Sequence, residues 1–155
     1  MSIENGSDAP AFSLASDRDG ALTLASAAGR KMVVYFYPKD DTPGCTTEAK
    51  DFSALADEFG AAETLVIGVS KDSLARHAKF RAKHDLTVAL GSDPQGATIE
   101  AFGAWVEKSL YGRKYMGIER ATFLIGRDGK VAAVWRKVKV NGHAAAVLEA
   151  AAALA

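Results

Sequence analysis

Residues 32–48 read MVVYFYPKDDTPGCTTE and contain both a strand and the start of a helix. The first six of these residues are apolar or aromatic with no charge among them, which predicts a strand buried on both faces. Pro38 ends that strand. Thr42 is a good N-cap residue, and Pro43 suits the first helical position because its missing N–H needs no partner there. The sequence therefore predicts a buried strand, a short loop and a helix in direct succession.

The segments on both sides of this stretch alternate between strand and helix patterns. A hairpin is predicted within residues 12–24 around Asp19-Gly20. The predicted helices run from Thr42 to Gly60, from a cap at Asp72 or Ser73 to about His84, over the short stretch 94–102, and over the tail 144–155. Further strands are predicted at 65–69, 88–90, 121–125 and 131–138. This order predicts an α/β sandwich with a mixed central sheet, an N-terminal β-hairpin and flanking helices. It resembles the thioredoxin fold.

Length and composition restrict the classes of protein that the chain can represent. Its 155 residues predict one domain over 1–155, and 19 basic against 19 acidic residues give no reason to expect nucleic acid or an anionic membrane as partner. We find no secretory signal and no apolar stretch approaching the roughly 20 residues that span a bilayer. A single cysteine cannot form an internal disulfide. We therefore expect a cytoplasmic protein.

That cysteine, Cys45, follows a buried strand and falls in the first turn of the predicted helix. Unpaired N–H groups and the helix dipole favour negative charge there, and the thiolate is the reactive form of cysteine. Gly44 allows a small molecule to approach the backbone closely. Two readings stay open from these residues: an activated thiol, or an inert cysteine that packs in the core. Dithiol exchange on this segment is excluded, because Thr42 and Glu48 occupy the two Cys-x-x-Cys positions.

Three motifs along the chain add a family resemblance. Pro38, Thr42 and Cys45 follow the order Pro-x-x-x-Thr-x-x-Cys, and YGRKYMGIERATFLI at 111–125 and GSDP at 91–94 lie further along the chain. Together they resemble the peroxiredoxins of the bacterioferritin comigratory protein branch, also called BCP or PrxQ. The resemblance extends over nearly the whole chain.

The resemblance implies a thiol-dependent peroxidase in which Cys45 attacks hydrogen peroxide or an organic hydroperoxide and becomes a sulfenic acid. Thr42 would hydrogen-bond the thiolate and the peroxide oxygen, and Pro38 would shield the thiolate from bulk water. Arg120 would direct its guanidinium at the sulfur and the peroxide. The N–H groups of Gly44 and Cys45 would bind the peroxide oxygens. These residues are the predicted catalytic and substrate-binding set, with no cofactor and no metal.

The chain departs from many members of this branch because Lys50 and Arg81 occupy the positions where a second, resolving cysteine is common. We therefore predict a one-cysteine type, regenerated by an external thiol such as thioredoxin, glutaredoxin or a low-molecular-weight thiol, with a role in antioxidant defence and redox homeostasis. A redox sensor or chaperone that uses Cys45 oxidation as a signal is the alternative. Nothing in the sequence indicates a self-association surface, so we expect a monomer or a weak dimer.

The roles of Glu48 and Tyr37 can each be interpreted in two ways. Glu48 either orients Arg120 or only complements the helix start, and Tyr37 either lines the pocket or is a buried strand aromatic. His77, His84 and His143 show no metal-ligand spacing, so surface or helix-end positions are expected for them.

Overall fold

A computed structural model describes residues 3–155 of the chain. Nine strands form in this part: β1 (Ser13–Ser16), β2 (Ala21–Thr23), β3 (Lys31–Phe36), β4 (Thr64–Ser70), β5 (Ala89–Ser92), β6 (Trp105–Leu110), β7 (Arg113–Ile118), β8 (Ala121–Ile125) and β9 (Val131–Trp135). Five α-helices accompany them: α1 (Pro43–Ala54), α2 (Ala56–Ala61), α3 (Leu74–His84), α4 (Ala97–Ala101) and α5 (His143–Ala153). A short 3₁₀ helix spans Leu24–Ala27.

Seven strands form one mixed sheet in the order β2-β1-β5-β4-β3-β8-β9. The central strand β3 runs parallel to β4 and antiparallel to β8. Its side chains alternate between two cores, with Val34 and Phe36 in one and Val33 and Tyr35 in the other. The sheet, the β1–β2 hairpin and the flanking helices confirm the predicted fold class. No helix within residues 3–155 has both the length and the apolar character that a bilayer crossing requires.

Three predicted elements differ from the structure. The single helix predicted up to Gly60 is divided at Leu55, where α1 ends and α2 begins. Strand β9 stops at Trp135, and Lys137 has a positive φ of 47°, which is incompatible with extended backbone. Helix α4 begins only at Ala97, after Gly96 in the left-handed conformation.

The hairpin β6–β7 was not predicted at all. It forms a separate two-stranded sheet, and its turn residues Tyr111 and Gly112 both have positive φ, as two-residue hairpin loops require. Residues 107–116 are almost all exposed. They therefore lack the apolar alternation by which a half-buried strand is recognised.

The sheet topology brings Arg120 to the end of β3. Phe36, the last residue of β3, pairs with Ala121, the first residue of β8. Because the two strands are antiparallel, the residue before β8 lies beside the residues that follow β3. This register places Arg120 next to the start of α1, although 75 residues separate it from Cys45.

Candidate active site

Cys45 is the third residue of α1 and is only 1% exposed. The first helical hydrogen bond joins the N–H of Thr46 to the carbonyl of Thr42. The N–H groups of Gly44 and Cys45 have no acceptor among the described residues. The sulfur therefore lies at a helix end whose free N–H groups stabilise negative charge.

Arg120 connects Cys45 to Glu48. Its Nη2 donates to the Sγ of Cys45 at 3.4 Å, and its Nη1 donates to the Oε1 of Glu48 at 2.7 Å. Gly44 makes room for this arrangement, because a Cβ at that position would lie 3.1 Å from Nη2. The rigid fork of the guanidinium thus presents a permanent positive charge to the sulfur.

Glu48 lies one helical turn beyond Cys45 and is buried at 1% exposure. Its Oε2 has no hydrogen-bond partner in the described part of the chain. Burial raises the pKa of Glu48 to about 7, although Arg120 acts in the opposite direction. Of the two readings of Glu48, the structure supports the one in which it orients Arg120, since its contact is with the guanidinium.

One predicted site residue, Thr42, differs from expectation in its contacts. The hydroxyl of Thr42 donates to the carbonyl of Lys39 at 2.8 Å, so its hydrogen is not directed at the thiolate. Thr42 does occupy the N-cap position of α1, but its side chain makes no capping hydrogen bond. Pro38 lies two residues beyond the end of β3 and is exposed. The predicted donation from Thr42 to Cys45 is therefore absent in this structure.

Known proteins that are similar to this chain belong to one family. Residues 5–134 match the family model described as AhpC/TSA family. A putative peroxiredoxin bcp of Coxiella burnetii is 47% identical over 148 residues, which are 96% of this chain and 98% of the relative. Peroxiredoxin Bcp of Bacillus subtilis is 46% identical over 149 residues, covering 96% and 95% of the two chains. The chain belongs to this family, as a peroxiredoxin of the Bcp branch.

Solved structures agree with this assignment. Peroxiredoxin Q of Xanthomonas campestris superimposes with a TM-score of 0.85 at 48% identity, covering 90% of this chain and 89% of that one. A cysteine-to-serine mutant of Xylella fastidiosa PrxQ reaches a TM-score of 0.90 at 37% identity, with coverages of 97% and 96%. The predicted thioredoxin-like fold and the BCP/PrxQ resemblance are confirmed. With one cysteine in its sequence, the peroxiredoxin is of the one-cysteine type.

The two positions that lack a resolving cysteine have different surroundings. Lys50 is exposed on α1. Arg81 on α3 is partly buried and binds both carboxylate oxygens of Asp17, at 2.7 and 3.0 Å. It also donates to the carbonyls of Leu86 and Val88. Arg81 therefore joins α3 to the β1–β2 hairpin.

A buried polar network anchors the loop that precedes α1. The hydroxyl of Tyr37 donates to Asp40 Oδ1 at 2.6 Å, and Nδ1 of His77 lies 2.6 Å from Asp40 Oδ2. Nε2 of His77 lies 3.1 Å from the carbonyl of Gly91. Because both partners of the imidazole are acceptors, both ring nitrogens donate and His77 carries a positive charge. Sequence reasoning missed the pairing of Asp40 with His77, because contacts between residues so far apart in the chain produce no local pattern.

The histidines therefore occupy three different environments in the peroxiredoxin. The expected surface or helix-end position is wrong for His77, which is fully buried in the middle of α3. His84 pairs with Asp41 at the end of α3, and His143 begins α5 and bonds Thr122. Within residues 3–155, no group of three or more histidine, cysteine or acidic side chains is arranged to hold a metal ion.

Proposed function

We propose that Cys45 reduces hydrogen peroxide and organic hydroperoxides as a thiolate, and that an external thiol regenerates it. The observation that carries the proposal is the placement of Arg120, whose guanidinium contacts Cys45 and is held by buried Glu48. A Bcp structure from Xanthomonas campestris, 47% identical to this chain, comes from work on alkyl peroxide reduction by that protein. This supports organic hydroperoxides as substrates here.

In the oxidative step, the thiolate of Cys45 attacks one oxygen of the peroxide, so that an S–O bond forms and the O–O bond breaks. The electron pair of the broken bond leaves on the second oxygen, which takes a proton and departs as water or an alcohol. Fixed donors aimed at this growing negative charge lower the barrier. Arg120 and the free N–H groups of Gly44 and Cys45 are the donors that lie at the sulfur.

Thr42 and Pro38 complete the proposed site. Since the hydrogen of the Thr42 hydroxyl is engaged by Lys39, its oxygen is oriented to accept a hydrogen bond. We infer that this oxygen accepts from the O–H of the peroxide and so positions the molecule for attack. Pro38, beyond the end of β3, would limit the access of bulk water to the sulfur.

In the reductive step, an external thiolate attacks the sulfenic sulfur, forms a mixed disulfide and releases the oxygen as water. A second thiol then frees Cys45. Thioredoxin, glutaredoxin and low-molecular-weight thiols can all perform this chemistry, and a reducing compartment such as the cytoplasm supplies them. Without a second cysteine, the sulfenic acid is also open to further oxidation. The cycle fits a role in antioxidant defence.

Addition of one equivalent of hydrogen peroxide to the reduced protein should convert Cys45 to a sulfenic acid within seconds. The measurement is intact mass after trapping with a reagent specific for sulfenic acids. Cys45→Ser serves as the control and should gain no mass. A wild-type protein that remains unmodified on this time scale would show that Cys45 is not a peroxidatic cysteine.

Replacement of Glu48 by glutamine should slow the oxidation of Cys45 about tenfold above pH 7, because a neutral amide holds Arg120 less firmly than a carboxylate. The pKa of Glu48 is raised to about 7, so in wild type the carboxylate is lost as the pH falls through that value. The oxidation rate of wild type should therefore fall as the pH is lowered through about 7, whereas the rate of Glu48→Gln should show no such step.

The measurement is the second-order rate of Cys45 oxidation between pH 5.5 and 9, a range of roughly two units on either side of the Glu48 titration. The matched control is Glu119→Gln, since Glu119 precedes Arg120 in sequence but binds Arg136. This control should leave the profile unchanged. A Glu48→Gln profile that coincides with wild type would show that Glu48 does not position Arg120.

A further inference from the structure

The outer half of the β6–β7 hairpin carries most of the exposed large hydrophobic side chains of the described chain. Of the five large hydrophobic side chains exposed among residues 3–155, four lie there: Leu110, Tyr111, Tyr115 and Met116. The hairpin makes its ladder only with itself. Isolated two-stranded hairpins are marginally stable in water. A ribbon of this kind that exposes aromatic side chains gains stability when a partner covers it.

The register of the hairpin divides its side chains between two faces. Lys108 pairs with Tyr115 and Leu110 pairs with Arg113, so these four residues share one side, which we call the hairpin face. The side chains of Lys108 and Tyr115 both approach Gly117, where a Cβ would lie 3.3 and 3.4 Å from them. This packing confirms that they share a side.

The charges differ between the two faces. On the opposite face, Lys114 forms an ion pair with Glu107 at 3.8 Å. On the hairpin face, neither Lys108 nor Arg113 has a carboxylate partner within residues 3–155. The hairpin face therefore combines apolar side chains with two positive charges that form no ion pair among residues 3–155.

The hairpin face is adjacent to the candidate active site. Burial lowers the pKa of Lys108, and so does the charge of Arg120, while the charges of Glu119 and Cys45 act in the opposite direction. Lys108 thus lies within electrostatic range of both site residues. Tyr115 and Arg120 are five positions apart, which limits the distance between them to about 17 Å even for extended chain. A protein interface of standard size, about 800 Å² per partner, extends roughly 30 Å across and would include both.

We propose that the hairpin face is the docking surface for a protein dithiol reductant that carries apolar side chains and carboxylates beside its reactive thiol. This inference rests on the proposed function, in which an external thiol must reach Cys45. The thiolate of the partner attacks the sulfenic sulfur of Cys45, an S–S bond forms, and the S–O bond breaks to release water. The second thiol of the partner then displaces Cys45 as thiolate.

A second copy of the chain fits this surface less well. A symmetric contact would place Lys108 and Arg113 against their own copies, and like charges in apposition are repulsive. A partner of opposite charge avoids this repulsion, which suits a reductant that binds and leaves in each turnover.

Docking can be tested without peroxide by loading Cys45 as a mixed disulfide with thionitrobenzoate. The rate of release of the coloured anion is then measured with two probes: a purified thioredoxin of net negative charge, and dithiothreitol, which needs no docking surface. Tyr115→Ser and Arg113→Glu alter the hairpin face. Met116→Ser and Lys114→Glu are matched controls on the opposite face of the same strand.

We expect each hairpin-face variant to lower kcat/KM for thioredoxin about tenfold, with rates for dithiothreitol within about twofold of wild type. Arg113→Glu should also weaken the dependence of the thioredoxin rate on ionic strength. The controls should behave as wild type. The proposal is overturned if thioredoxin rates are unchanged, if both probes slow equally, or if the opposite face has the same effect.

Two further measurements test whether the hairpin face binds something other than a protein reductant. A defect confined to oxidation by cumene hydroperoxide would assign the face to the peroxide. Dimers of wild type in sedimentation that are lost in Tyr115→Ser would assign it to a second copy, and either result overturns the proposal. Because release of thionitrobenzoate needs no peroxide, failure of Cys45 to form a sulfenic acid would refute the proposed function separately.

Discussion

Replacement of Arg120 by alanine should slow the oxidation of Cys45 by hydrogen peroxide about 100- to 1,000-fold. Removal of one fixed donor aimed at developing negative charge raises a barrier by roughly 3 to 4 kcal/mol. Arg120 is such a donor, since its Nη2 lies 3.4 Å from the sulfur and its side chain is only 17% exposed. Arg120→Lys should show an intermediate rate, because lysine keeps the charge but not the fork that binds Cys45 and Glu48 together.

The measurement is stopped-flow oxidation of the reduced protein under pseudo-first-order peroxide. The matched control is Arg136→Ala, since Arg136 binds Glu119 and the carbonyl of Gly103 rather than the sulfur. Arg120→Ala also leaves Glu48 buried without its partner. The double variant Arg120→Ala with Glu48→Gln removes that buried charge. If the oxidation of Cys45 is still slow in the double variant, the slow rate is caused by the missing donor and not by misfolding. An Arg120→Ala rate within threefold of wild type would remove Arg120 from the mechanism.

The position of Cys45 could be predicted from local sequence, whereas its partners could not. A buried strand, Pro38 and a Thr-Pro helix start are short-range signals, and α1 begins at Pro43 as they predict. Arg120 reaches the site through the antiparallel pairing of β3 with β8. Periodicity does not determine which strands become neighbours, so only the resemblance pointed to Arg120 before the structure was known.

Side-chain contacts for which two acceptors compete could not be predicted from the sequence either. Thr42 was expected to donate to the thiolate, but the carbonyl of Lys39 lies within 2.8 Å of its hydroxyl and takes the hydrogen. His77 was expected at the surface or at a helix end, because the three histidines show no metal-ligand spacing. Its burial depends on Asp40, which folds back from the loop after β3. Such pairings form only in the tertiary structure and produce no periodic pattern in the sequence.

Replacement of His77 by phenylalanine should lower the free energy of unfolding by about 3 to 5 kcal/mol, the range observed when one partner of a buried ion pair is removed. Asp40 would keep the hydroxyl of Tyr37 but lose its positively charged partner at 2.6 Å. Since Asp40 lies two residues before Thr42, we also expect slower oxidation of Cys45. Urea denaturation at pH 6.5 measures the stability change. His84→Phe is the matched control, because His84 pairs with the exposed Asp41.

The pH dependence of stability separates the ion pair from simple packing. Burial alone would lower the pKa of His77, but the hydrogen bond and charge of Asp40 outweigh it and raise the pKa above its usual 6.5. The protonated form is thus favoured by folding, so its contribution is complete below pH 6.5 and is lost as the pH rises through the folded pKa. Wild type should lose this stability as the pH rises from 6.5 through the raised pKa of His77, and His77→Phe should not. Adding Asp40→Asn to His77→Phe should restore part of the loss, because no buried charge then remains unpaired. If the single variant unfolds with the wild-type pH profile, His77 is neutral and its role is packing alone.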